Sequence, residues 1–227
     1  MRAVAVSLDV TRTLLHAPRL GEIYAETLAR HGVTIAPEAV RRTMPVVWRE
    51  LAREAPVARD RFGTHPGGAR GFWHELIVRI CELAGAAPPP AAATAELFAR
   101  FAEPAAWRLF PEVPETLAAL AAAGVRLAVV SNWDERLPLL LDRLGLAPRF
   151  RAIVTSAAVG WEKPHPAIFA RAVAALGVAP EEVVHVGDDR REDVAGARAA
   201  GLQALHLDRG GEGDLASLAE LPGWLGI

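Results

Sequence analysis

The chain has 227 residues, 52% of them hydrophobic, and a formal net charge of -2. That length and apolar content suffice for one substantial core and a smaller appended unit. Arginines interspersed with acids exclude the basic footprint of a nucleic-acid binder and favour small-molecule partners.

In chain order, the opening MRAVAVSLDV holds one arginine and an apolar stretch cut short by Asp9, a poor secretory signal. No run approaches the ~18 apolar residues of a spanning helix. The expectation is a cytoplasmic protein with no membrane or nucleic-acid partner. AVAVSL, residues 3–8, reads as a first buried strand.

Residues 16–109 follow without a convincing strand. Helical patterns around residues 22–31, 37–55, 71–85 and 91–102, with the proline-stiffened AAPPPAAA among them, predict a smaller helical domain inserted like a lid. Residues 1–15 and 110–227 then form the other domain. The single cysteine, Cys81, sits among Leu76, Ile80 and Leu83 at helical spacing and reads as a core thiol. RFGTHPGGARGFW, residues 61–73, has two readings. It is a mobile loop offering Arg61, Arg70 and His65, the last as a proton carrier, or an exposed turn between helices.

Beyond the insert, RLAVVS (126–131), AIVTS (152–156), EVVHVG (182–187) and LQALHL (202–207) read as strands. They do not alternate, as expected of a sheet covered on both faces. The helical patterns between them end on Gly124, Gly145, Gly177 and Gly201, each suited to closing a helix. This alternation predicts an α/β, doubly wound parallel sheet. The tail from Gly210 reads as a loop and short helix without chemistry.

In such a sheet, ligands bind at the carboxyl ends of the strands. Asp9 follows the first strand, Ser131 and Asn132 the second, Lys163 lies beyond the third, and Asp188, Asp189 and Asp193 follow the fourth. Lys163 is the only lysine and Asn132 the only asparagine. A lone ammonium among arginines suits a compact point charge meeting an anion. The carboxylates of GDDRRED repel one another unless a hard cation such as magnesium sits among them; alternatively, Asp189 or Asp193 caps the following helix.

The segments SLDVTRTLL, VVSNWD, GWEKPHPAIF and HVGDDRREDVAGARAAG, in this order and with a helical insert after the first, are similar to the haloacid dehalogenase-like hydrolase superfamily. The resemblance covers essentially the whole chain. It implies a Rossmann-like core with a helical cap and a covalent intermediate on Asp9. By matching position, Ser131 and Lys163 would hold the transferring phosphoryl group. Mg2+ would bind Asp9, Asp188 and the Thr11 backbone carbonyl, supported by Asp189 and Asp193. The implied substrate is a small phosphorylated metabolite.

One departure weakens this picture. Phosphatases of the superfamily usually carry a second aspartate two residues after the first, and here that place is Thr11, whose hydroxyl does not ionise near neutral pH. Cation-pumping ATPases of the superfamily share this threonine and still form an aspartyl phosphate. Arg12 replaces a small residue, and it touches substrate or pairs with a cap carboxylate. Thr11, Arg12, Asn132 and Trp133 are the expected substrate contacts, with Trp133 and Trp161 walling the entrance or merely packing. His16 is a further acid or base candidate.

Two other readings stay open. A 2-haloacid dehalogenase needs no acid for its halide leaving group, although its resemblance in the last motif is poorer. A non-catalytic phosphate- and metal-binding module would explain Thr11 and Arg12, although it leaves the charge cluster without a purpose.

Overall fold

A computed structural model describes residues 4–54 and 58–227. The strands are β1 (Ala5–Leu8), β2 (Leu15–His16), β3 (Arg108–Leu109), β4 (Arg126–Ser131), β5 (Ala152–Thr155), β6 (Val183–Gly187) and β7 (Gln203–His206). Five of them form one sheet in the order β5-β4-β1-β6-β7, every neighbouring pair parallel. This is the α/β, Rossmann-like arrangement expected. The ends expected at residues 3 and 55 lie outside the described residues.

All four residues of β1 are buried, and so are all five of β6. Strands buried on both faces gain nothing from alternation, which is why the sequence runs Val-rich there. Ala5, Ala128, Val130 and Val183 pack with Ile168, Phe169 and Leu176 of the helix Pro166–Leu176. Gly124, Gly145, Gly177 and Gly201 all have positive φ, between 67° and 86°. Each closes its helix before the chain enters the next element.

The chain winds outward from β1 through β4 to β5, then returns to the other side of β1 for β6 and β7. That reversal is the switch point at which loops diverge and leave a crevice. Leu8 pairs with both Val129 and Val186, so Asp9 emerges between the ends of β4 and β6.

The chain divides into two compact units, one of residues up to His16 with Leu109–Ile227, the other Ala17–Arg108. The second contains helices Leu20–Arg30, Pro37–Glu54, Arg61–Thr64, Gly68–Leu83 and Ala91–Arg100. Its core joins Leu28, Val47, Phe62, Phe72, Leu76 and Leu97. Cys81 lies buried in it, and burial pushes its thiol up to about 11. The two-residue strands β2 and β3 pair with each other and were not expected, because two residues show no period.

The stretch 61–73 matches neither of its two readings. Asp60 caps the one-turn helix Arg61–Thr64, accepting from the Gly63 N–H, and Arg61 and Phe62 are buried. His65 is held through Nε2 by Glu75 at 3.0 Å, while Nδ1 accepts from the Gly67 N–H at 3.0 Å. A Cβ on Gly71 would stand 2.6 Å from that ring, so this glycine is needed for close packing.

Among the described residues, no helix is long and apolar enough to cross a membrane.

Candidate active site

Asp9 leaves β1 with its N–H still donating to the Val186 carbonyl at 2.9 Å, so the sheet itself fixes where its side chain begins. The Asp9 side chain is 8% exposed. Ser131, the last residue of β4, donates its hydroxyl to Asp9 Oδ1 at 3.0 Å. Lys163 Nζ donates to the same oxygen at 2.6 Å and to Asp193 Oδ1 at 2.5 Å. These buried groups interlock two carboxylates through one ammonium.

Each member is held from behind. Asn132 grips the Lys163 backbone at both ends, its Oδ1 accepting from the Lys163 N–H at 2.6 Å and its Nδ2 donating to the Lys163 carbonyl at 3.1 Å. Nδ2 also donates to Glu192 Oε2 at 3.0 Å. Asp193 lies in the π-helical turn Arg190–Ala195. Its Oδ2 accepts from the Asp189 N–H at 3.0 Å, and its Oδ1 accepts from His185 Nε2 at 3.0 Å. With that nitrogen donating, His185 Nδ1 accepts from the Ser7 hydroxyl at 2.9 Å in the neutral imidazole. Gly187 makes this approach sterically feasible, since a Cβ there would stand 2.2 Å from Asp193 Cγ.

The rim differs. Asp188 is partly buried and pairs with Arg12 Nε at 3.2 Å, the Arg12 side chain being 74% exposed. His206 Nε2 donates to the Asp188 carbonyl at 3.0 Å. Thr11 and Arg12 are exposed in the turn after β1, and Arg12 has a φ of 67°. Arg209 secures this turn: Nε donates to the Arg12 carbonyl at 3.1 Å, one Nη to the Thr13 carbonyl at 2.9 Å and the other to Glu112 at 2.7 Å.

Electrostatics follow the geometry. Burial, with the Asp193 charge adding to it, raises the Asp9 carboxyl despite Lys163. Burial opposes the Lys163 charge, but the carboxylates of Asp193 and Asp9 hold the ammonium well above the usual lysine range. Burial likewise disfavours an ionised Asp193, yet Lys163 and His185 outweigh it and keep the carboxyl well below the ordinary range. Asp188 is pushed up to about 7 by burial and the Asp9 charge, with Arg12 opposing.

Oxygens of Asp9, Asp188 and Asp193 lie within 4.8 Å of one another. A hard oxygen-donor set in which burial and neighbouring negative charge raise two of the three carboxyls, Asp9 and Asp188, fits a hard divalent cation. Asp9 and Asp188 face that position most freely, because both Asp193 oxygens already accept hydrogen bonds.

Asp9, Ser131, Lys163, Asp188 and Asp193 are thus brought together. Asp189 is not in the cluster: it caps the turn, accepting from the Arg191 and Glu192 N–H groups at 2.8 and 2.7 Å. Arg12 pairs with Asp188, a carboxylate of its own unit. Trp133 is buried, with its carbonyl accepting from Ser156 and Ala157. Trp161 stacks on His165 at 3.8 Å. His16 stacks on Phe110 at 4.7 Å, and Arg209 lies over the same Phe110 ring at 3.3 Å.

Sequence reasoning missed Ser7, His185, Gly187 and Arg209. The first two carried a signal, a hydroxyl and an imidazole inside valine-rich strands. Arg209 carried none.

Comparison with known proteins shows the family. A family model described as haloacid dehalogenase-like hydrolase matches residues 4–201. The human haloacid dehalogenase-like hydrolase domain-containing protein 3 is 34% identical over 87% of this chain and 78% of its own length. A phosphoserine phosphatase of Thermus thermophilus is 42% identical over 89% of this chain and 88% of its own. The solved HAD-hydrolase YfnB of Bacillus subtilis, crystallised with magnesium, covers 100% of both chains with a TM-score of 0.80 and 17% identity, a likeness of fold.

Proposed function

The chain belongs to the haloacid dehalogenase-like hydrolase family, and from that premise we propose that it hydrolyses a small phosphorylated metabolite through an aspartyl phosphate on Asp9. The observation carrying this reading is the buried Lys163 ammonium, 2.6 Å from Asp9 and 2.5 Å from Asp193. It offsets the repulsion between an attacking carboxylate and an incoming anion.

In this reading, an Asp9 oxygen bonds to phosphorus as the ester P–O bond breaks, and the departing oxygen takes a proton. Water then attacks the aspartyl phosphate, releasing inorganic phosphate and restoring Asp9. Lys163 and the Ser131 hydroxyl bind the phosphoryl oxygens. Asn132 acts through Lys163 by fixing its backbone. Asp9, Asp188 and the Thr11 carbonyl would hold Mg2+, with Asp193 behind them, and the ion would supply charge neutralisation and alignment. Arg12 and Trp133 contribute to the substrate side of the pocket.

A threonine hydroxyl at position 11 can donate a hydrogen bond but carries no ionisable proton near pH 7, so the leaving group takes its proton from solvent. General acid-base catalysis is worth about 10²–10⁴-fold, which makes slow turnover the expectation. Phosphate release from a panel headed by O-phosphoserine, chosen for the Thermus relative, tests this with and without chelator. Magnesium-dependent release is expected, and Thr11→Asp should raise it about tenfold or more. Chelator-resistant halide release from 2-haloacids would replace this reading with a dehalogenase. Silence on both panels with magnesium still bound would leave a binding module.

A further inference from the structure

Arg12 is strained, clamped and aimed. A non-glycine residue at φ 67° is costly, and such strain persists only where surrounding contacts fix it. Here the Arg12 N–H donates to the Leu15 carbonyl at 2.7 Å, and its own carbonyl accepts from Arg209 at 3.1 Å. The side chain leaves this fixed backbone toward Asp188 at 3.2 Å. Lys163 cannot replace it at the rim, since its ammonium is buried between Asp9 and Asp193.

We propose that Arg12 is a displaceable internal counter-ion. It neutralises Asp188 until a divalent cation takes that carboxylate, and its freed guanidinium then becomes a contact for the anionic ligand. The inference rests on the metal reading above and adds a coupling: loading the cation and exposing an anion-binding arginine are one exchange. The pair is well suited to being broken, because an ion pair with a largely exposed arginine shifts an equilibrium by less than about fivefold. The interior pair of Lys163 is not, because breaking it strands buried charge. No covalent step is involved.

The test is calorimetric titration with Mg2+ at pH 8.5, so that the cation competes with the guanidinium and not with a proton. Wild type is compared with Arg12→Asn, which tolerates the left-handed backbone without charge, and with Arg12→Lys, which keeps the charge. Arg12→Asn should bind Mg2+ roughly three- to tenfold more tightly, from loss of both the competing pair and the repulsion of the dication. Arg12→Lys should stay near wild type. At saturating Mg2+, inorganic phosphate should bind Arg12→Asn several-fold more weakly than wild type. Unchanged or weaker Mg2+ binding by Arg12→Asn would overturn the exchange, and unchanged phosphate binding would overturn the second role of the arginine. Absence of Mg2+ binding in all three proteins would instead overturn the metal reading beneath both.

Discussion

The inner and outer halves of the acidic cluster solve the same problem differently. Inside, Asp9, Asp193 and Lys163 are buried, and the ammonium meets both carboxylates at 2.6 Å or less. At the rim, Asp188 has one 3.2 Å pair with an arginine that is 74% exposed. The inner carboxyl of Asp193 is driven below its ordinary range while Asp188 rises to about 7. Geometry is therefore set by buried, tightly paired charges, and the more accessible Asp188 is left as the carboxylate whose partner is most readily exchanged.

The largest effect expected from breaking this contrast comes from Lys163→Met. It leaves Asp9 and Asp193 facing each other without a cation, and removing one partner of a buried pair costs about 3–5 kcal/mol. A large fall in melting temperature together with loss of phosphate release is expected. A variant melting like wild type would mean that the interior is no more firmly set than the rim. Next in size is Gly187→Ala, which changes no charge but forces a methyl group against Asp193 Cγ, 2.2 Å away. Overpacking of this kind costs about 1–3 kcal/mol. Activity should fall further than melting temperature, because Asp193 is the anchor for Lys163. Equal loss in both would make the glycine a matter of packing alone.

Much of this site was legible because strand ends dictate position: once five short apolar runs are read as parallel strands, Asp9, Ser131, Lys163 and Asp188 must emerge along one edge. Roles that depend on who binds whom were less legible. Asp189 and Asp193 sit four residues apart in one turn, and only its coiling sends Asp193 inward to Lys163 and leaves Asp189 as a cap. Ser7 and His185 looked like strand residues because they are strand residues, and their hydrogen bond joins different strands. Arg209 reaches the Arg12 and Thr13 carbonyls from nearly the opposite end of the chain, a link that no local pattern encodes. In the insert, the glycines of residues 61–73 read as looseness, but Gly71 serves tight packing against His65.

The smallest expected effect, and the one that most sharpens the contrast, is the pH dependence of Mg2+ binding. Asp188 faces Asp9 and Asp193, which raise its carboxyl, and Arg12 and Lys163, which lower it; with burial the balance falls near 7, against an ordinary value of 3.8. A raised carboxyl contributes stability below its unfolded value and loses it as pH climbs through the folded one, so this group destabilises the metal-free protein above about pH 7. Proton and cation compete for the same oxygens. Between pH 6 and pH 8, the ionised fraction of a group titrating near 7 rises about tenfold, and Mg2+ affinity should rise with it. Titration calorimetry at both values reads this directly, with Asp188→Asn expected to bind weakly and without the slope. A flat wild-type profile would mean that Arg12 keeps Asp188 ionised throughout, and the rim would then be as firmly preset as the interior.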